Sequence, residues 1–357
     1  MAGSAKHGLP WWSWVFPILA LGLVLLHPDP LGVGGVVMGL ALIGAVFAGV
    51  HHAEVVAHRI GEPFGSLVLA VAVTVIEAGL IVSMMLGGGK ETVARDSVFA
   101  ALMIALNGIV GLALVLGGAR YLEQGFQARA AAAYLAVLAA MATLTLVLPN
   151  YTASTPGPVF NTAQLVFVSV VSLVLYVVFL FVQTVRHREY FLPEADDADG
   201  IADPPSLRAT WMSAGLMLPA LVGVVLLAKF LAPAVEAGVA AAAAPVSVVG
   251  VAIAALVLLP EGFSAVRAAR RNRLQTSLNL ALGSVIACIG LTIPVVAVVA
   301  IWLGQPLVLG LRPSETVLLV LTLFTAGLTL GSGRTTVLQG AVHLVIFAAF
   351  LFMAVVP

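Results

Sequence analysis

From Trp11 to Val355 the chain is a succession of apolar runs, each close to the length of a bilayer-crossing helix, separated by short polar, glycine- or proline-bearing turns. Nothing else in the sequence restricts the fold as strongly. An unpaired backbone amide or carbonyl in hydrocarbon costs several kcal/mol, so runs of this kind must pair their own backbone groups as helices of roughly twenty residues. Composition agrees: 61% of residues are hydrophobic and 9% charged, against about 25% charged in soluble domains. Eleven spans are expected, over 11–27, 31–58, 65–86, 97–118, 128–148, 162–185, 209–232, 245–268, 276–303, 315–331 and 335–355.

The single cysteine, Cys288, excludes an intramolecular disulfide, and zero net charge gives no sign of a nucleic-acid partner. The first apolar run lacks an A-x-A-like cleavage site and is read as a span rather than a signal peptide. With the N-terminus in the cytoplasm, twelve of the sixteen lysines and arginines fall on the cytoplasmic side; Lys90, Arg95 and Arg312 fall outside and Lys229 lies in a span. The C-terminus is then periplasmic or extracellular, and the expected location is a bacterial inner membrane.

One hydrophilic stretch, 186–208, divides the chain and reads as an acidic cytoplasmic linker. Five spans precede it after the first, and five follow. The expected domains are an orphan N-terminal helix (1–30), a five-helix repeat (31–185), the linker, and a second five-helix repeat (209–357). An odd number of spans per repeat inverts one relative to the other, the plan of many secondary transporters. Ile76-Glu77 and Pro260-Glu261 occupy equivalent spans, and Val110-Gly111-Leu112 can be laid on Ile289-Gly290-Leu291.

A carboxylate near the bilayer centre costs at least ~2.5–3.5 kcal/mol on insertion scales, so each one needs a reason. Glu77 and Glu261 stand deepest in their apolar runs, and inverted repeats would bring them together at the midplane. When ionised, two such carboxylates offset the charge of a divalent ion; when protonated they are neutral, so proton and cation compete for the same oxygens. A structural pairing with a buried base is the alternative for either one. Pro260 lacks the N–H that would bond the Leu256 carbonyl, which frees that carbonyl as a ligand in a locally broken helix, or else merely kinks the helix.

His51, Glu54 and His58 recur at i, i+3 and i+7 and share a helical face, with His52 beside them. The cluster reads as a pH sensor or proton relay, as a zinc site lacking a fourth ligand, or as an interfacial polar cap. Lys229 either snorkels outward or serves as a counter-charge. Glu236, seven residues on, shares its face only if the helix continues through Pro233, which is not expected. The linker acids Glu194, Asp196, Asp197, Asp199 and Asp203 lack the residue order of an EF-hand loop and are read as regulatory.

Further residues carry a resemblance. His51-His52-Ala53-Glu54-Val55-Val56-Ala57, Gly61-Glu62-Pro63-Phe64-Gly65-Ser66-Leu67 and Val75-Ile76-Glu77 resemble the first signature region of the calcium/proton antiporter (CAX) family, in its bacterial ChaA-type branch. Leu259-Pro260-Glu261-Gly262-Phe263-Ser264-Ala265, Leu278 to Ser284 and Ile289-Gly290-Leu291-Thr292 resemble the partner region. The resemblance implies a cation exchanger fold with alternating access, no cofactor, and one ion-binding glutamate per repeat at Glu77 and Glu261. Thr74, Ser284 and Asn279 are read as supporting the ion path. The wider family often has asparagine three residues before each glutamate; here those positions are Thr74 and Leu258, which leaves fewer oxygens for calcium.

The reading is an all-α polytopic membrane protein, not an enzyme, that exchanges cytoplasmic Ca2+, with Na+ or K+ as further candidates, for protons. A passive cation channel and a membrane-embedded metalloenzyme using His51, His52, Glu54 and His58 are the rivals. The expected partners are the bilayer and the transported cations.

Overall fold

The computed structural model describes residues 9–61, 64–86, 91–192 and 204–357. Among the described residues ten helices are long and apolar enough to cross a membrane; nine lie within four residues of an expected span at both ends, and Leu207–Ala241 runs nine residues past the expected end at 232. In chain order they are α2 (Val33–Ile60), α3 (Phe64–Leu86), α4 with α5 (Val93–Met103, Val110–Tyr121), α6 with its continuation (Ala128–Tyr151) and α7 with its continuation (Thr162–Arg186). After the short α8 (Arg188–Phe191) come α9 (Leu207–Ala241), α10 (Ser247–Ala269), α11 with α12 (Leu274–Ala287, Ile293–Leu303), α13 (Pro313–Gly331) and α14 (Val337–Val355). The first expected span is a helix, α1 (Trp11–Leu26), but its 16 residues reach only about 24 Å at 1.5 Å per residue, short of a full hydrocarbon core.

Four π-helical segments interrupt these helices among the described residues: Ile104–Ile109, Thr143–Val147, Val182–Arg186 and Cys288–Thr292. Such bulges leave backbone groups shifted out of the i to i−4 ladder and concentrate at functional sites. The first and last lie in the third helix of each sequence half. They coincide with the Val110-Gly111-Leu112 and Ile289-Gly290-Leu291 pair: Ile109 ends one bulge, and Ile289-Gly290-Leu291 lies inside the other.

Helix starts follow local chemistry. Asn161 and Gln164 form a reciprocal capping box on α7, as Thr336 and Gln339 do on α14. Two short strands, β1 (Gln124–Gly125) and β2 (Arg334–Thr335), pair antiparallel between the α5–α6 and α13–α14 turns.

Two compact units emerge, one of Met1–Ser83 with Ala202–Ala237 and the other of Met84–Ile201 with Gly238–Pro357. Each draws helices from both sequence halves. The stretch read as a linker is partly folded: Phe191 of α8 is buried against the rings of Tyr134 and Phe179, and α9 begins at Leu207. The acidic positions Glu194, Asp196, Asp197, Asp199 and Asp203 lie outside the described residues.

Candidate functional site

In the first unit Glu77 sits on α3 with only 3% of its surface exposed, and Thr74, one turn earlier, is also buried. Three residues of helix place both side chains on the same face. Another face of α3 packs on α9: a Cβ on Gly79 would collide with the Val225 side chain, and Ser83 Oγ donates to the carbonyls of Gly79 (2.7 Å) and Val225 (3.2 Å). Opposite faces of the same helix carry exposed Leu67, Val71 and Val75, as a lipid-facing stripe requires.

In the second unit Glu261 is 8% exposed on α10, between buried Pro260 and Gly262. A Cβ on Gly262 would lie 3.2 Å from Ile109 Cδ1, so the absence of a side chain lets the π segment Ile104–Ile109 pack directly beside the glutamate's turn. Leu258, three residues before Glu261, is buried and apolar. The expected break at Pro260 does not occur: α10 runs unbroken from Ser247 to Ala269. α10 is packed on α4, the π segment and α11, neighbours of the kind that let a membrane helix continue through a proline. The Leu256 carbonyl still lacks its i+4 donor, because proline has none.

Two further expectations change. Lys229 and Glu236 do share one helix, since α9 continues through Pro233 to Ala241; Lys229 is exposed. Asn279 is drawn into a chain away from α10: Gln275 Nε2 donates to its Oδ1 (2.7 Å), and its Nδ2 donates to the Phe191 carbonyl (2.6 Å). Ser284 is half-buried on α11.

The histidine cluster divides. Glu54 and His58 are exposed, whereas His51 and His52 turn toward α1. His52 Nε2 lies 2.7 Å from the Ser13 carbonyl, which can only accept, so Nε2 carries the proton; the His51 ring lies 5.1 Å from that of Trp12. Helical spacing alone missed this, because His52, off the shared face, makes the closest polar contact. Among the described residues no three His, Cys, Asp or Glu side chains gather to hold a metal ion.

The second unit also contains groups the sequence reading passed over. Arg95 and Asp96, both buried, form a bidentate ion pair (Nη2 to Oδ1 2.7 Å, Nε to Oδ1 2.8 Å), with Arg95 Nη1 donating to the Gly310 carbonyl. Arg312, before α13, pairs with Glu315 at 2.7 Å, and that carboxylate holds the guanidinium even further up its basic range. Asn107, in the π segment, is fully buried and hydrogen-bonded to Thr322 and His343. A lone asparagine and a lone histidine in apolar spans were the available signal.

The sequence of a known family accounts for this arrangement of two half-chains. A profile described as sodium/calcium exchanger protein matches residues 31–185 and again 212–356. The chain belongs to that family. It is 51% identical over 356 residues to a putative ionic transporter, y4hA, of Sinorhizobium fredii, covering 98% of this chain and 97% of the relative. It is 37% identical over 349 residues to the sodium-potassium/proton antiporter ChaA of Escherichia coli, covering 95% and 94%. The expected likeness to the ChaA-type branch is thus borne out. Among solved structures the fold is that of native YfkE, with a TM-score of 0.75 at 18% identity over 97% of this chain and 99% of the other. The protein is a multi-pass membrane cation exchanger.

Proposed function

We propose that this exchanger moves cytoplasmic cations outward against inward protons, with Glu77 and Glu261 as the carboxylates that trade one for the other. The observation that carries the reading is the burial of one glutamate within an apolar helix in each sequence half (3% and 8% exposed). A buried carboxyl is neutral when protonated and favours a bound cation when ionised, which is the chemistry of competition between the two. The likeness to a sodium-potassium/proton antiporter supports Na+ and K+ as cargo beside Ca2+. The donor set supports the same breadth: Thr74 offers a hydroxyl, Leu258 offers nothing, and Ca2+ takes six to eight oxygens where it is bound selectively.

In this reading the N-terminus is cytoplasmic, Leu256 and Thr74 add oxygens to the path, and no cofactor takes part. The test is flux in inverted vesicles, with Ca2+, Na+ and K+ each tried against an imposed pH gradient. Cation uptake that dissipates the gradient is expected for at least one of them. Cation movement that leaves the gradient untouched would make the chain a passive channel and overturn the reading.

A further inference from the structure

The second unit holds a titratable group that neither glutamate explains. His343, on α14, is fully buried, as is Asn107 in the π segment Ile104–Ile109. The two elements meet closely: a Cβ on Gly108, in the π segment, would lie 3.2 Å from Phe347 Cζ of α14, and just beyond the segment a Cβ on Gly111 of α5 would lie 3.0 Å from His343 Cβ. His343 Nδ1 is 2.9 Å from Asn107 Oδ1, and Nε2 is 3.2 Å from Thr329 Oγ1 on α13. Asn107 Nδ2 lies 2.9 Å from Thr322 Oγ1 and 3.7 Å from Met103 Sδ, with Thr322 Oγ1 3.4 Å from the same sulfur.

These contacts determine where the hydrogens are. A thioether only accepts, so the Asn107 amide turns its NH2 toward Met103 and Thr322, and the Thr322 hydroxyl donates to the sulfur. Asn107 Oδ1 is then an acceptor, and His343 Nδ1 must donate to it. A neutral ring therefore accepts at Nε2 from the Thr329 hydroxyl. Taking up a proton at Nε2 requires one change: the Thr329 hydroxyl redirects its hydrogen, for instance to the helix carbonyl four residues back, as Thr145, Ser169 and Thr184 already do in this chain. The bond to Asn107 survives protonation and becomes charge-assisted.

We propose that His343 is a proton-binding positioning residue: through Asn107 and the Ile104–Ile109 segment it makes cation affinity beside Glu261 depend on pH. The link is physical, since Ile109 of the same segment packs against Gly262, next to Glu261. A positive ring in this low-dielectric interior repels a cation and strengthens the hold on Asn107, so acid weakens cation binding. Other charges stand on the elements packed against α14, but at helix ends or in pairs. Arg120 and Tyr121 end α5, Arg334 lies in β2, Glu315 is bound to Arg312, and Arg95 and Asp96 of α4 are bound to each other. Glu261 and Arg267 lie on α10.

The inference rests on the exchange reading above, and full-length chain reconstituted in vesicles tests both. The apparent KM for the cation is measured between about pH 4 and 8, a window that spans the titration of buried as well as exposed histidines. His343→Asn puts an amide nitrogen where Nδ1 was and carries no proton, so the rise of KM toward acid should shrink at least about threefold. Thr329→Val removes the acceptor for a protonated Nε2 and should move the remaining rise to lower pH. If both variants keep the unmodified dependence of KM on pH, or lower kcat alone, the histidine is structural and the inference falls. If the unmodified chain shows no proton-driven exchange, the reading of its function fails first.

Discussion

The turns around Glu77 and Glu261 occupy equivalent places in the two sequence halves but are furnished differently. Around Glu77 the helix is regular, a buried threonine stands three residues earlier, and Gly79 seats the helix on α9. Around Glu261 the equivalent polar position is Leu258, and an internal proline leaves a backbone carbonyl without its donor. One half offers a side-chain oxygen, the other a main-chain oxygen. Duplicated halves need not stay chemically equal: a hydroxyl and a freed carbonyl can each hold a cation, but only the carbonyl comes with a weakened helix.

The largest effect tests what the two turns share. Glu77→Gln and Glu261→Gln keep the shape and remove the titration, and each should lower proton-driven exchange at least about hundredfold, two decades of rate. Flux in vesicles at matched protein content reads this. Near-normal exchange in either variant would reduce that carboxyl to a structural role and break the symmetry of the comparison.

The next effect separates the turns. Pro260→Ala restores an N–H that reaches the Leu256 carbonyl and removes a residue that costs a helix interior about 3 kcal/mol. Cation affinity should fall about tenfold, ~1.4 kcal/mol, while the thermal midpoint rises. An unchanged KM with a raised midpoint would make Pro260 a packing feature only.

A smaller effect tests the side-chain half of the contrast. Thr74→Val is close to isosteric and loses only the hydroxyl, for an expected loss of about threefold to fivefold in affinity, the net value of one hydrogen-bonding oxygen. Leu258→Thr adds the missing oxygen and should shift preference toward Ca2+ over K+ by a similar factor. Competition of each ion against the other in the same vesicles gives the ratio directly. Equal preference in both variants would mean that neither position faces the cation.

Much of this was legible in sequence because lipid makes the rules strict. A charge in a span is costly wherever it lies, so Glu77 and Glu261 stand out without any structure, and apolar run lengths mark the helices to within a few residues at most ends. Packing was not legible. The 35 residues of α9 run through Pro219 and Pro233, as membrane helices tolerate internal prolines that would end a soluble helix. The pairing of Asn107 with His343 spans 236 positions and rests on a π bulge that no periodicity announces. The shared face was drawn through His51, Glu54 and His58, yet His52 beside it makes the closest contact to α1, since i, i+3, i+7 spacing says which residues are neighbours on a helix but not which neighbour the next helix covers.

The smallest effect concerns a region outside both turns. Glu194, Asp196, Asp197, Asp199 and Asp203 put five carboxylates within ten positions. Charges in water are screened beyond about 8–10 Å at ordinary ionic strength, so carboxylates of a hydrophilic linker are expected to act through the local ion concentration rather than on Glu77 or Glu261 directly. They can raise the local cation concentration on their own side of the membrane, and the effect must weaken with salt. Neutralising all five should therefore raise the apparent KM for Ca2+ about twofold at low ionic strength and less at 0.15 M, with K+ changed least because the enrichment grows with valence. Maximal rates should stay as they were. A change that persists at high salt would point to a specific contact of this segment with the transport core, and loss of all exchange in an inserted protein would place it in the mechanism beside the two glutamates.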